Sequence, residues 1–262
     1  MNTVKESFLI AENYYRYYKI FALSGIVQLH EGPVSWISPR RGEKGPSMAF
    51  CVRLSEENAE RELNSIISHI QKGDIPRIWN VTPDSTPGNI VEIMKKNGFR
   101  DMGENAPAPE PAMLLYPKDF TPYTGENNPV VCRRITSRED FEAWVSVVNT
   151  ALHGWEMIDA EHYYAWVEDG HIKIYLAEME GTAVSTCATI QNGAAASLEF
   201  VSTLEPYRRR KAAISLCSYA VGELLENGAE YVTLSSCGDS VSLYQKLGFQ
   251  TYFYDTMMKY NG

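Results

Sequence analysis

The chain has 262 residues, of which 44% are hydrophobic and 22% are charged, so it can form one large globular domain or two small ones. Its net charge of −9 argues against a nucleic-acid-binding protein, which would usually carry a basic face. No apolar run is long enough to cross a bilayer, and the N-terminal residues lack the apolar core of a signal peptide. We therefore expect a cytoplasmic protein without a membrane or nucleic-acid partner.

Cysteine and histidine usage gives no sign of a metal site. The five cysteines are widely spaced and never form a C-x-x-C pair, which favours reduced thiols over a disulfide framework or a zinc site. The five histidines show no H-E-x-x-H spacing. We expect no metal.

The first half of the chain reads as alternating helices and strands. Aromatic and polar positions alternate near the N-terminus, Ser55 is a helix-capping residue, and apolar residues recur at helical spacing after it. The predicted elements are a helix over 4–23, strands over 34–38 and 48–54, a helix over 55–71, a strand over 78–81, a helix ending at Asn97, and a strand over 113–116.

The second half starts afresh after residues 117–129, which are rich in Pro, Gly, Asn and Thr and which we interpret as a linker. Ser137 caps a helix, and Asn192-Gly193 is a strong hairpin signal. The predicted elements are a strand over 130–135, a helix over 137–152, a second short helix, strands over 172–178, 183–190 and 198–204, a helix over 212–227, a strand over 231–234, a helix over 240–247, and a last strand over 252–258.

The two halves share an ending. MKKNGF (94–99) and YQKLGF (244–249) each close a helix with Gly-Phe before a strand, and their phenylalanines lie about 150 positions apart (249 minus 99). A similar element order recurs in both halves, which favours an internal duplication. We predict two domains, residues 1–122 and 123–262.

The stretch LEFVSTLEPYRRRKAAISL (198–216) is typical of an anion site. A strand leads into a loop of four consecutive cations, Arg208 to Lys211, and a helix begins at Ala212. The first N–H groups of a helix have no internal partner, and the helix dipole is positive there. A pyrophosphate is the obvious ligand, and a solvated basic patch is the alternative.

This stretch, together with LYQKLGF, resembles the GCN5-related N-acetyltransferase (GNAT) family. In that family an R/Q-x-x-G-x-G/A loop holds the pyrophosphate of acetyl-coenzyme A (acetyl-CoA). Arg208 and Ala213 match the pattern, whereas Lys211 stands where glycine is usual. The resemblance implies an α/β (α+β) fold with two GNAT-like domains, each a mostly antiparallel central sheet flanked by helices, and a degenerate first copy.

The resemblance also implies acetyl-CoA as the acyl donor and a set of cofactor-binding residues. Backbone groups near Val201 and Thr203 would pair with the pantetheine arm, and one N–H would face the thioester oxygen. Cys237 occupies a position where the family often has asparagine. The implied cofactor-binding residues are Val201, Ser202, Thr203, Arg208, Arg209, Arg210, Lys211, Ala212, Ala213, Cys237 and Tyr244.

Two catalytic roles follow from the resemblance. Tyr244 lies where the family places a tyrosine that protonates the departing thiolate, which a phenol can do near neutral pH; core packing is the alternative. Glu199 is the candidate base, because burial would raise its pKa; a solvent-facing carboxylate or a water relay are the alternatives. Strand alternation places Glu199 and Val201 on one face unless a bulge intervenes.

The acceptor pocket is implied at the loop after the first helix of the second half, with His153, Trp155, Glu156 and Asp159. Acidic and aromatic groups suit a cationic amine, although the same residues also suit a polar loop anchored by one Trp. In the first half Met94 replaces the tyrosine, so we expect one active site per chain.

The resulting hypothesis is an N-acetyltransferase that moves an acetyl group from acetyl-CoA to a small-molecule amine by direct attack through a tetrahedral intermediate. The alternative is a non-catalytic CoA-binding or regulatory module. The sequence is also compatible with a longer acyl donor, and with a monomer or a homodimer.

Overall fold

A computed structural model describes residues 3–105, 110–125, 129–168, 170, 172–236 and 240–262. The chain divides into two compact units: Met1–Ala112 with Ser235–Asp239 and Thr251–Gly262, and Met113–Leu234 with Ser240–Gln250. The described residues form two β-sheets with flanking helices, which confirms the predicted α/β class.

The described elements alternate between helices and strands along the chain. Up to the middle of the chain they are α1 (Thr3–Ile20), a 3-10 helix (Phe21–Ser24), β1 (Val27–His30), β2 (Ser35–Pro39), β3 (Met48–Phe50), α2 (Ala59–Lys72), β4 (Ile78–Val81), α3 (Ile90–Lys96), β5 (Phe99–Asp101), a 3-10 helix (Met102–Asn105), β6 (Pro111–Leu115) and a 3-10 helix (Pro117–Asp119).

The remaining elements are β7 (Val131–Ile135), α4 (Arg138–Val148), a π-helix (Asn149–His153), α5 (Ala160–Tyr163), α6 (Ala165–Glu168), β8 (Lys173–Met179), β9 (Thr182–Asn192), β10 (Ala195–Thr203), a 3-10 helix (Glu205–Tyr207), α7 (Ala212–Glu226), β11 (Tyr231–Ser235), α8 (Val241–Leu247), β12 (Gln250–Tyr254) and β13 (Thr256–Tyr260).

The first unit is built on a six-stranded sheet in the order β1-β2-β3-β4-β13-β5. Its pairs are antiparallel except β3 with β4. Helix α2 buries Leu63 and Ile70 in a core that also holds Trp79 and Met94. The apolar stripe predicted for this helix therefore does face the core.

The C-terminal strand β13 belongs to this first sheet. Met258 is paired with Trp79 on one side and with Asp101 on the other. The single strand predicted over 252–258 is therefore wrong: two strands meet at Asp255. The Asp255 carboxylate accepts hydrogen bonds from the hydroxyls of Tyr14 (2.8 Å) and Ser235 (2.5 Å), which fixes the break.

Other elements in the first half also differ from the prediction. Strands β1 and β5 were not predicted, and β3 ends at Phe50 because Cys51 has a φ of 52° that interrupts the extended backbone. Helix α2 begins at Ala59, four residues after Ser55, since Ser55 and Asn58 form a separate turn.

The second sheet has seven strands in the order β12-β6-β11-β10-β9-β8-β7. Helix α7 buries Leu216, Cys217, Ala220 and Leu224 against one face of the second unit's strands. Helix α4 starts as predicted, with the Ser137 hydroxyl accepting from the N–H of Asp140. It ends in the π-helix, which brings His153 toward the sheet.

The Gly-Phe endings have a common conformational cause. Gly98 and Gly248 have φ values of 90° and 102°, a region that side-chain-bearing residues rarely adopt. A Cβ at Gly248 would lie 1.9 Å from the carbonyl oxygen of Asp119. Glycine is therefore required there for both conformation and space.

Candidate functional site

A β-bulge in β10 organises the candidate site. Glu199 is paired with Ala188 and Ser202 with Thr186, so Phe200 and Val201 together oppose one residue of β9. Phe200 has a φ of 52°. A two-against-one bulge bends its strand and redirects side chains.

The bulge assigns neighbouring side chains to different faces. Leu198 lies in the core beneath α7, so the pleat directs Glu199 to the opposite face. Phe200 packs on that same opposite face, with its ring 5.3 Å from the ring of Trp144 in α4, whereas Val201 packs against the α7 core. Simple alternation would have placed Glu199 and Val201 together, and the bulge separates them.

Two hydroxyl groups of β9 fix the backbone after the bulge. The Thr186 hydroxyl donates to the carbonyl oxygen of Phe200 at 2.9 Å, and the Ser185 hydroxyl donates to that of Ser202 at 2.7 Å. In a trans peptide the C=O of one residue and the N–H of the next point in opposite directions. The N–H groups of Val201 and Thr203 therefore point away from β9, toward the β11 side.

Among the described residues, the pairing of β10 on that side covers only the first part of the strand. Its parallel register with β11 joins Ala195–Ser197 to Tyr231–Thr233, whereas β10 itself continues to Thr203. The paired backbone thus ends before the bulge. An extended chain that enters next to Val201 and Thr203 would find backbone donors and acceptors in β-strand geometry.

The basic loop follows directly. Arg209 and Lys211 have φ values of 63° and 68°, and α7 begins at Ala212. Lys211 thus adopts the left-handed conformation that glycine favours, although it carries a side chain. The N-terminal N–H groups of this 15-residue helix lie beside the loop.

All four cations of the loop are exposed. Arg208 Nε donates to the carbonyl oxygen of Thr203 at 3.2 Å, which places this guanidinium at the end of β10. The Arg210 guanidinium lies 5.6 Å from the centre of the Tyr207 ring. Cationic side chains and helix N–H groups together fit a pyrophosphate, with Ala212 and Ala213 supplying the start of the helix.

Glu199 combines partial exposure with an apolar setting. Burial raises the pKa of its carboxyl group to about 8, and a hydrogen bond with Ser197 opposes this shift. A carboxyl group with such a pKa can accept a proton near neutral pH.

Tyr244 lies in α8 and is 4% exposed. Its ring is 6.0 Å from that of Phe249 in a T-shaped arrangement, within the core that α7 also lines. Core packing and a proton-donating role are both compatible with this placement.

The residues expected at the acceptor pocket take different positions. His153 lies with its ring 6.4 Å from the ring of Phe200, next to the bulge, and burial lowers its pKa to about 4. Trp155 is 47% exposed and Glu156 is also exposed. Asp159 caps α5 by accepting from the N–H of Glu161, so its carboxylate has a structural partner.

Ser202 and Cys237 are two further predicted cofactor contacts. Ser202 faces β9, where its hydroxyl lies 2.6 Å from that of Thr186 and its carbonyl accepts from Ser185. Cys237 lies outside the described residues. The sequence reasoning missed Ser185 and Thr186, because hydroxyl residues on a strand are common and the bulge that gives them a role is not visible in the residue pattern.

The first unit contains a second bulge at its own third strand. Phe50 is paired with Ser35 and the Arg53 N–H donates to the carbonyl of Pro33, so Cys51 and Val52 oppose one residue. Cys51, like Phe200, has a φ of 52°. Val52 and Leu54 in the first unit therefore correspond to Val201 and Thr203 in the second.

In the first unit, the chain itself bonds to these positions. The Thr86 N–H donates to the carbonyl of Val52 at 3.0 Å, and the Leu54 N–H donates to the carbonyl of Thr86 at 3.1 Å. The Thr86 hydroxyl adds a bond to the carbonyl of Leu54 at 3.1 Å. In the first unit the carbonyl of Val52 and the N–H and carbonyl of Leu54 are thus bonded within the chain.

No group of three or more His, Cys, Asp and Glu side chains arranged to hold a metal occurs among the described residues. Within the same residues, none of the helices has the length and apolar character needed to cross a membrane.

Residues 136–259 match the family model described as an acetyltransferase (GNAT) domain. Among solved structures the chain is similar to a GCN5-related N-acetyltransferase from Kribbella flavida, with 17% identity over 95% of each chain and a TM-score of 0.68. It is also similar to a tandem GNAT protein from the clavulanic acid biosynthesis pathway, with 11% identity over 96% of each chain and a TM-score of 0.63.

A third similar structure is a GCN5-related N-acetyltransferase from Sphaerobacter thermophilus, with 14% identity, 86% of this chain and 79% of that chain covered, and a TM-score of 0.60. No curated protein matches the chain. At these identities the solved structures establish a shared fold over nearly the whole length.

Proposed function

The chain belongs, through residues 136–259, to the GNAT family of acetyltransferases, and from this we propose that it transfers an acetyl group from acetyl-CoA to the amino group of a small molecule. The observation that carries the proposal is the backbone after the bulge. The N–H groups of Val201 and Thr203 point away from β9, next to a loop and helix N-terminus suited to a pyrophosphate.

Acetyl-CoA fits the chain's own groups in three places. Arg208 to Lys211 and the first turn of α7 would hold the pyrophosphate, and the backbone of Val201 and Thr203 would pair with the pantetheine arm. The left-handed backbone at Lys211 supports this assignment, because it reproduces the conformation of the glycine that usually stands there.

The chemistry requires a nitrogen–carbon bond to form and a carbon–sulfur bond to break. We assign the Val201 N–H to the carbonyl oxygen of the thioester, where it would stabilise the negative charge that develops as the amine attacks. Such a donor is preoriented, since its peptide is fixed by Thr186.

Two proton transfers complete the balance. Glu199, with its pKa raised to about 8, takes the proton that the amine loses, directly or through water. Tyr244 gives a proton to the departing thiolate, so that CoA leaves as a thiol. The phenol then regains its proton from solvent.

His153, Trp155 and Glu156 are assigned to the acceptor side. His153 lies against Phe200 beside the bulge, and its lowered pKa keeps the ring uncharged at neutral pH. An uncharged ring beside the bulge does not repel an incoming ammonium group, whereas an imidazolium would.

We assign one active site to each chain, and we interpret the first unit as a degenerate copy. Thr86 already bonds to the carbonyl of Val52 and to the N–H and carbonyl of Leu54, at positions where a pantetheine arm would pair. Met94, at the position that corresponds to Tyr244, has no proton to give.

The near-complete burial of Tyr244 favours a second candidate, a CoA-binding module without catalysis. A thiol-release assay with acetyl-CoA and a panel of primary amines separates the two candidates. Amine-dependent release of CoA supports the enzyme. A rise in melting temperature with acetyl-CoA but no release of CoA supports the module. If neither response is observed, both candidates are rejected.

A further inference from the structure

Two buried hydroxyl groups on β9 each hydrogen-bond to a hydroxyl and to a backbone carbonyl of β10. Thr186 and Ser185 are each 0% exposed. A hydroxyl has one hydrogen to donate, and Thr186 donates it to the Phe200 carbonyl, so the Ser202 hydroxyl must donate to Thr186 over the 2.6 Å that separate them.

The hydroxyl of Ser185 repeats this arrangement. Ser185 donates to the carbonyl of Ser202, and the Thr203 hydroxyl, 2.8 Å away, must donate to Ser185. Side chains thus bond the carbonyls of Phe200 and Ser202, where the bulge shifts the register between the two backbones.

The peptide that joins Phe200 to Val201 is the one most in need of such support. Phe200 has a φ of 52°, a conformation that is costly for a residue with a side chain, and backbone strain of this kind persists only where the surroundings hold it. The Thr186 hydroxyl donates a hydrogen bond to the buried Phe200 carbonyl, and removal of the hydroxyl would cost that bond.

We propose that Thr186 is a positioning residue that aims the Val201 N–H at the acyl oxygen, and that Ser185 does the same for the Thr203 N–H and the pantetheine arm. This rests on the proposed function. Neither side chain touches the substrate: each acts through the carbonyl on the far side of the peptide that it holds.

The two residues should affect different parts of the ligand. The acyl oxygen is present in acetyl-CoA and absent from CoA, whereas the pantetheine arm is common to both. Loss of the Thr186 hydroxyl should therefore reduce the preference for acetyl-CoA over CoA. Loss of the Ser185 hydroxyl should weaken both ligands equally.

The test compares Thr186→Val, which keeps the shape of the side chain without the hydroxyl, with Thr186→Ser, which restores it. Ser185→Ala is the second variant. Thr189→Val is the matched control, because Thr189 is an equally buried hydroxyl residue of β9 whose hydroxyl lies 3.4 Å from that of Tyr175. Calorimetry gives the Kd of acetyl-CoA and of CoA for each variant.

We expect the wild type to bind acetyl-CoA about fivefold more tightly than CoA, the worth of about one hydrogen bond. In Thr186→Val the two Kd values should become equal and kcat should fall about tenfold or more, since loss of one oxyanion donor costs about 100-fold or more. Thr186→Ser should recover both properties.

A Thr186→Val variant with wild-type kcat and wild-type acetyl preference would overturn the proposal, as would an equal loss in Thr189→Val or no recovery in Thr186→Ser. These outcomes are distinct from failure of the proposed function, in which the wild type itself neither binds acetyl-CoA nor releases thiol. Because the binding comparison needs no turnover, it decides the positioning role even for a non-catalytic module.

Discussion

The backbone N–H of Leu54 donates to the carbonyl oxygen of Thr86 at 3.1 Å, and the N–H of Thr86 donates to the carbonyl oxygen of Val52. A single residue thus bonds to the backbone of both Val52 and Leu54 in the first unit. At the corresponding segment of the second unit, the N–H groups of Val201 and Thr203 point toward the side where pairing with β11 has ended.

From this difference we expect one acetyl-CoA per chain. Isothermal titration calorimetry should give a stoichiometry near one. The double variant Arg209→Glu with Lys211→Glu should remove all measurable binding, because it places negative charge where the pyrophosphate is expected. A stoichiometry near two, or a second binding event that survives in the double variant, would show that the first unit also binds the ligand.

Glu199 should give the pH profile of kcat/KM an ascending limb. Its carboxyl group has a pKa of about 8, and a base must be deprotonated to act, so kcat/KM should rise with pH and level off above pH 8. Glu199→Gln should lower the plateau by about 10-fold to 100-fold and remove this limb. An aromatic amine acceptor, which is uncharged throughout this range, separates the carboxylate from the titration of the substrate.

The raised pKa of Glu199 also predicts how the stability of the protein changes with pH. Between its ordinary pKa of 4.5 and about 8, the folded protein holds a proton that the unfolded chain has lost, so stability falls as pH rises across this window. Glu199→Gln lacks the ionisation. The melting temperature of this variant should therefore increase relative to that of the wild type from pH 5 to pH 8. A difference between the two melting temperatures that stays constant over this range would contradict the raised pKa.

Tyr244→Phe should separate catalysis from packing. The ring contact with Phe249 is retained in this variant, and only the hydroxyl is lost. We expect kcat to fall about 100-fold, the usual worth of a general acid, with little change in the KM of acetyl-CoA. Tyr219→Phe, on the exposed side of α7, is the control and should keep wild-type kcat. Full activity in Tyr244→Phe would restrict this residue to core packing.

Lys211 tests whether the loop binds through its backbone or through its charge. Lys211→Gly should raise the melting temperature, because glycine relieves a left-handed conformation that costs other residues about 1 kcal/mol. If helix N–H groups carry most of the binding, the Kd of acetyl-CoA should change less than about threefold and depend less on salt. Arg209→Gly, at a similar φ, is the matched variant.

A loss of affinity of tenfold or more in Lys211→Gly, but not in Arg209→Gly, would identify the lysine side chain as a principal phosphate contact. That result would also explain why this sequence carries lysine where glycine is usual.

Local rules of the chain predicted much of the fold. Ser137 caps α4 as expected, and the spacing of apolar residues located α2 and α7. Long-range pairing was not predictable in the same way. The placement of β13 in the first unit's sheet depends on contacts such as Met258 with Trp79, which no local pattern encodes.

The site shows the same division. The strand, loop and helix N-terminus from 198 to 216 were predicted, because each depends on residues that are adjacent in the sequence. The bulge was not assigned from the sequence. The separation of Glu199 from Val201 and the roles of Ser185 and Thr186, which depend on the bulge, were therefore not predicted either. A bulge depends on how two strands align, and Phe200 is not a residue type that favours a positive φ.

The most direct test of the central claim follows the acetyl group itself. Wild-type protein is incubated with acetyl-CoA carrying a ¹³C-labelled acetyl group and a panel of small primary amines, and the products are identified by mass spectrometry. We predict that the label is found on the nitrogen of at least one amine, in a one-to-one ratio with released CoA, and that Tyr244→Phe slows both. Binding of acetyl-CoA without labelled product from any amine would contradict the claim of acetyl transfer to a small-molecule amine.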